Sequence, residues 1–247
     1  MRMSARLLAL SLIVVPAVPA LAAPAAAPAA AGPVTVARYT FDAGATAAGR
    51  IAENSGRGMP LTVRTADHGA VRFLRGKAGR YVAFPARCAS GATTCARALL
   101  EAPNRADLNP GTRPFRWGAS VSVTPAQLSG SSNVMQKGVT TADSQWKLQS
   151  GSEHGNALCV LVGRGSTKAY IARSSVTVAN GAWHKVLCQR SGSTLTVAVD
   201  GVSRGRISIP AALSVTNMLP LRVGGPNFNK SSDMYHGSLD DVLAAVG

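Results

Sequence analysis

The feature that most constrains this chain is an alternation of apolar and polar residues with period two, recurring in short runs from Val34 onward. Side chains on an extended strand point to opposite faces in turn, so this period marks strands with one buried face. Such runs cover Val34–Phe41, Val71–Leu74, Tyr81–Phe84, Arg97–Glu101, Trp117–Val123, Asn133–Lys137 and Gln145–Gln149. They continue through Ala157–Val162, Ala169–Ala172, Trp183–Gln189, Thr194–Val199, Val202–Ile209, Leu219–Val223 and Ser238–Leu243. Turn signals separate them, among them Asn109-Pro110-Gly111, Asn180-Gly181 and Gly224-Gly225-Pro226. Asp200-Gly201, between two alternating runs, predicts a type I′ hairpin. No long stripe of helical period interrupts the pattern. About a dozen short strands in one domain means a two-layer antiparallel sandwich or jelly roll. The composition, 46% hydrophobic and 15% charged, excludes a disordered chain and suits an exported β-rich domain.

Before the first strand the pattern changes. Arg2 and Arg6 precede an apolar run, Leu7 to Val15, and Ala20-Leu21-Ala22 supplies small residues for cleavage. This is the form of a secretory signal peptide over 1–22, and its apolar run is too short to span a bilayer. The Ala/Pro-rich stretch over 23–33 reads as an extended spacer, and 34–247 as one β-sandwich domain. The protein is therefore expected to be secreted. Cleavage removes two of the 26 basic residues and none of the 11 acids.

Cysteine usage agrees with export. Cys88, Cys95, Cys159 and Cys188 allow two disulfides in three pairings. We favour Cys88–Cys95, which closes a loop too short to reach elsewhere, and Cys159–Cys188, expected to lock two neighbouring strands in register. Their spacing matches no zinc knuckle. On Trp183–Gln189 the odd-numbered side chains face one way and His184, Val186 and Cys188 the other. Trp183 is read as core, and His184 as a hydrogen-bonded structural imidazole.

The second half carries a resemblance. Ala182-Trp183-His184-Lys185-Val186, then Leu195-Thr196-Val197-Ala198-Val199-Asp200-Gly201, then His236-Gly237-Ser238-Leu239-Asp240-Asp241-Val242, resembles the laminin-G-like branch of the concanavalin A-like lectin/glucanase superfamily. Tyr39-Thr40-Phe41-Asp42 is similar to its first strand. The resemblance implies an all-β, concanavalin A-like antiparallel sandwich. It is weak on function, because that superfamily holds lectins, glucanases, lyases and adhesion modules. It also implies a structural calcium near the chain ends as an option, with Asp42, Asp240, Asn229 and Asp233 as candidate ligands, hydrogen-bonded turn residues being the alternative.

Catalytic motifs are missing. A retaining glucanase of this fold needs paired carboxylates across the scissile bond, and no Glu-x-Asp-x-x-Glu or near variant occurs. There is no His-Glu-x-x-His and no P-loop. On a strand Asp240 and Asp241 alternate faces and cannot act as a dyad. A non-enzyme is expected, with a diverged polysaccharide hydrolase or lyase as the alternative.

Two groups of residues are candidates for glycan contact. Gln145, Lys147 and Gln149 share one face of a strand, and with Gln136 and Lys137 they form a candidate concave-face site. Asn227, Asn229, Asp233 and Tyr235 are candidates at a loop tip. From Arg57 to Arg97 eight basic residues stand against one acid, Asp67. That field favours polyanions. Aromatic residues, at 5%, are too few for a single-strand nucleic-acid platform, so no specific nucleic-acid role is expected. The expected partner is a glycan or anionic cell-surface polymer. A basic wall-associated structural protein is a further alternative.

Overall fold

The computed structural model describes residues 32–247 apart from 129, 142, 152–153 and 230–232. The leader expected over 1–22, the spacer up to residue 31, and Glu153 lie outside the described residues. In chain order the strands are β1 (Val34–Tyr39), β2 (Arg50–Ile51), β3 (Leu61–Ala66), β4 (Arg72–Gly76), β5 (Gly79–Ala83), β6 (Arg97–Ala102), β7 (Phe115–Ser122) and β8 (Ser132–Gly138). They continue as β9 (Gln145–Ser150), β10 (Asn156–Val162), β11 (Ala169–Thr177), β12 (Trp183–Ser191), β13 (Thr194–Val199), β14 (Val202–Ser208), β15 (Leu221–Val223) and β16 (Ser238–Val246).

These strands form two antiparallel sheets. The first runs β14-β13-β12-β7-β16-β5-β4, with β1 also paired to β16; the second runs β11-β10-β9-β8-β15-β6-β3-β2. The alternation in the sequence decides which side of each strand meets the other sheet. On β7, Phe115, Trp117, Ala119 and Val121 are buried while Ser120 and Ser122 face outward. The β13–β14 turn places both Asp200 (φ 53°) and Gly201 (φ 80°) in the left-handed region, as a type I′ hairpin requires. Two strands escape the period-two pattern. β2 is too short to show a period, and β3 buries only Leu61 fully, its other residues being Thr62, Val63, Arg64, Thr65 and Ala66.

The core centres on Phe115, Trp117 and Trp146, whose ring centroids lie 5.1–6.0 Å apart. Trp146 reaches in from the second sheet, and its indole N–H donates to the Leu108 carbonyl at 3.0 Å. The structure joins Cys88 to Cys95 and Cys159 to Cys188. The second bridge corrects one expectation. Cys159 lies on β10 of the second sheet and Cys188 on β12 of the first, so the bond crosses the core rather than locking two neighbours in register. Both cysteines point inward from facing sheets and both are fully buried.

Candidate functional site

The site begins with a break in the first sheet. β16 pairs with β7 along one side, but its other side changes partner. Ser238 and Leu239 pair with β5, whereas Val242 to Val246 pair with β1. At the switch the register with β7 shifts between Asp240 and Leu243, and Asp241 takes a φ of 47°. Such bulges bend a strand and re-aim its side chains. Here they send two adjacent carboxylates apart. Asp241 pairs with Arg38 at 2.8 Å. Asp240 faces a cleft, with its Oδ1 accepting the Asp241 backbone N–H at 2.8 Å.

Asp42, just beyond β1, ties the diverging strands together. Its Oδ1 accepts the backbone N–H of Arg80, near the start of β5, at 2.9 Å. That contact requires Gly79, whose φ is +126° and where any Cβ would collide with the Asp42 carboxylate. The Arg80 N–H, followed by the Thr40 hydroxyl, holds the Asp42 carboxyl below the usual carboxylate range. Burial pushes the Asp240 carboxyl the other way, to about 6, and the neighbouring charges of Asp241 and Asp42 add to the rise.

The cleft measures about 770 Å³ and lies between the β4–β5 hairpin tip and β12. Ser120 and Asp240 line it together with Tyr81 and Trp183. Trp183 is 44% exposed, and Tyr81 meets it edge to face with centroids 5.2 Å apart. This corrects the expectation of a core Trp183. Cys188 must face inward to reach Cys159, so period two turns Trp183, an odd number of residues away, outward. The sequence already carries that phase. An exposed indole beside a phenol ring and a polar floor can stack on the apolar face of a sugar and bond its hydroxyls. The hairpin brings Arg75, Lys77 and Arg80 to the same rim. Sequence reasoning missed Tyr81, Ser120 and these three cations as site residues, because only the fold sets β5 beside β16.

The candidate face on β8 and β9 is arranged differently. Gln136, Gln145 and Gln149 share a face with Lys147, yet they are only 3%, 3% and 4% exposed. Their amides already bond within the chain: Gln136 and Gln145 donate to the Gly138 carbonyl and Gln149 to that of Ser131. The curved sheet folds these polar groups onto its own backbone, which leaves no free row for a ligand. Burial lowers the Lys147 pKa, an effect the Asp233 carboxylate opposes.

Lys137 is a second correction. Its strand partner is Trp146, so it points toward the core and is fully buried. Its ammonium donates to Asn109 Oδ1 at 2.7 Å, the Asn217 carbonyl at 2.7 Å and Asn217 Oδ1 at 3.0 Å. Burial lowers its pKa to about 8. Tyr235 is a third: it is 1% exposed, packs edge to face on Phe84, and donates its hydroxyl to backbone carbonyls of Ser122 and Ser238. Asn227 accepts the Asn229 backbone N–H at 2.8 Å, as a turn residue does.

The four candidate calcium ligands are not gathered into one place. Asp42 and Asp240 flank the hairpin, Asn229 lines a separate hollow beside the Cys88–Cys95 bridge, and Asp233 faces Lys147. Among the described residues no group of three or more His, Cys, Asp and Glu side chains is placed to hold a metal. Both His184 ring nitrogens are engaged, with Asp200 Oδ2 at 2.8 Å and Asn180 Oδ1 at 3.0 Å. No helix among the described residues is long and apolar enough to cross a membrane.

Comparison with solved structures finds the same sandwich elsewhere. Domain 4 of AbnA, a GH43 extracellular arabinanase from Geobacillus stearothermophilus solved in complex with arabinotriose, superposes with a TM-score of 0.65 at 16% identity. That match covers 87% of this chain and 93% of the domain. The binding domain of Paraclostridial Mosquitocidal Protein 1 gives 0.62 at 13% identity over 85% of this chain. The binding domain of Botulinum Neurotoxin DC, in complex with SialylT, gives 0.60 at 8% identity over 85% of this chain. This chain spans about half of both toxin fragments, 48% and 47%. At these identities the likeness concerns fold. No curated protein matches the sequence. The laminin-G-type family model matches residues 106–244, more than half of the chain. The chain therefore belongs to the family described as the concanavalin A-like lectin/glucanases superfamily.

Proposed function

We propose that this protein is an exported, non-catalytic glycan-binding module whose binding surface is the Trp183 cleft on the outer face of the first sheet. The observation that carries this reading is the exposed indole of Trp183, buttressed by Tyr81 above a floor of Ser120 and Asp240. A large aromatic ring left in water beside hydrogen-bonding groups suits the amphipathic surface of a sugar. The arabinotriose bound to the arabinanase domain and the SialylT bound to the neurotoxin domain support a glycan ligand for this sandwich.

One observation favours a catalytic alternative. Asp240 and Asp42 flank one hairpin with pKa values shifted in opposite directions, the arrangement that separates an acid from a base. A single experiment decides between the readings. The mature protein is run through gels containing a panel of polysaccharides, and each polymer is then sized. Retardation without chain shortening, weakened about tenfold or more in Trp183→Ala, is the expected result. Shortening abolished by Asp240→Asn overturns the non-catalytic reading. Retardation that vanishes with salt for every polymer alike, and that Trp183→Ala leaves unchanged, replaces both with charge alone.

A further inference from the structure

The β4–β5 hairpin carries an electrostatic conflict with itself. Arg75 and Arg80 stand directly opposite each other in the ladder. Like charges in that position repel and destabilise an antiparallel pair. Lys77 in the two-residue turn adds a third cation. Some arginines elsewhere have acidic partners, as Arg38 has Asp241 and Arg222 has Glu101, and others such as Arg72 and Arg116 have none among the described residues, but Arg75 and Arg80 are set against each other in one ladder. Among the described residues none of the three hairpin cations has an acidic partner. Asp42, which lines the same hollow, accepts the Arg80 backbone N–H on its Oδ1 and forms no ion pair with the three side chains.

The hairpin is also shared by two hollows. One is the Trp183 cleft. The other, about 520 Å³, is lined by Asp42, Arg75, Lys77 and Arg80. Strand alternation sets Tyr81 on one face of the hairpin and Arg75 with Arg80 on the other. Arg75, Lys77 and Arg80 line both hollows, so a chain of more than one sugar that starts at Trp183 and continues past the hairpin tip runs beside them.

Resting on the glycan-binding reading, the geometry points to an acidic polysaccharide as the ligand: one sugar ring packs on Trp183, and an anionic group of an adjacent unit lies between Arg75 and Arg80. Guanidinium groups carried by two opposed residues can each donate to the oxygens of a carboxylate or a sulfate, and a bound anion turns their repulsion into a bridge.

The test uses two matched pairs of polymers at fixed ionic strength: polygalacturonate against its full methyl ester, and dextran sulfate against dextran. Affinities are measured by calorimetry for wild type, Trp183→Ala and Arg75→Gln/Arg80→Gln, with thermal melts to confirm folding. Polygalacturonate reports a carboxylate and dextran sulfate a sulfate. The expected result is a preference of about tenfold for the charged member of one pair. Arg75→Gln/Arg80→Gln removes that preference, and Trp183→Ala weakens both members. Equal affinity within both pairs overturns the inference and leaves glycan binding standing. A preference that survives Arg75→Gln/Arg80→Gln, or one untouched by Trp183→Ala, also overturns it. No binding to any of the four polymers removes the inference and the reading beneath it.

Discussion

At the scale of single residues, two titrating groups sit where burial works against their charge. Lys137 is a buried ammonium whose three protons all meet neutral oxygens. Its pKa is about 8 in the folded protein and 10.5 ordinarily, so between those values the unfolded chain binds the extra proton. Stability therefore rises as pH goes from about 8 to 10.5. Lys137→Met should abolish that rise, and it should cost about 1–3 kcal/mol at pH 7 by leaving the Asn217 carbonyl without the ammonium that bonds it. Urea titrations at pH 7 and pH 10 check both. Asp240 has the opposite sign. Its carboxyl titrates near 6 when folded and near 3.8 otherwise, so the folded state holds the proton longer and stability falls as pH climbs through that interval. Asp240→Asn should raise the Tm above pH 6 and leave it unchanged below pH 4, which melting curves across that range will show. Legibility in the sequence divides along the same lines. The faces of β9 and β12 follow from alternation alone, and the same alternation carried through β8 and β12 turns Lys137 inward and Trp183 outward. Tyr235 is different. Its burial depends on Phe84 and the carbonyls of Ser122 and Ser238, contacts that no local pattern contains.

Among the elements, β16 decides where chemistry can happen. A strand that trades one neighbour for another leaves a gap in its sheet, and the Trp183 cleft lies beside that gap. Period two reveals the strand but not the change of partner. That depends on β1 and β5, from distant parts of the chain, meeting the same edge. The basic stretch was visible in sequence as charge; its convergence on an aromatic surface was not, because β7 and β16 intervene between β12 and β5. The cystine is the other decisive element. It ties β10 to β12 across the core and thereby sets the phase of the strand that displays Trp183. Replacing Cys159 and Cys188 together by alanine should cost roughly 3.6 kcal/mol on the loop-closure model. For a domain of this size that lowers the Tm by about 7–14 °C. Scanning calorimetry on the non-reduced protein provides the measurement. Glycan retardation below the new Tm should persist, since no cysteine touches the cleft.

At the scale of the whole molecule, two sheets share one aromatic core, and their outer faces differ in kind. The polar row on β8 and β9 is turned in on its own backbone, whereas the first sheet presents the indole and the basic hairpin to solvent. In the proposed reading, recognition falls to one side of the sandwich, where a preformed surface loses little freedom on contact. The same sheet holds both flanks of the domain. Val34 pairs with Val246 and Tyr39 with Val242, so the outermost residues of β1 and β16 are immediate neighbours. Tension pulling these flanks apart would load their ladder one rung at a time, like a zipper, instead of shearing all its hydrogen bonds together. A module anchored through one flank and hauled by the other would yield first at β1, stretching like a short fuse while the cross-core sulfur bond kept β10 tied to β12.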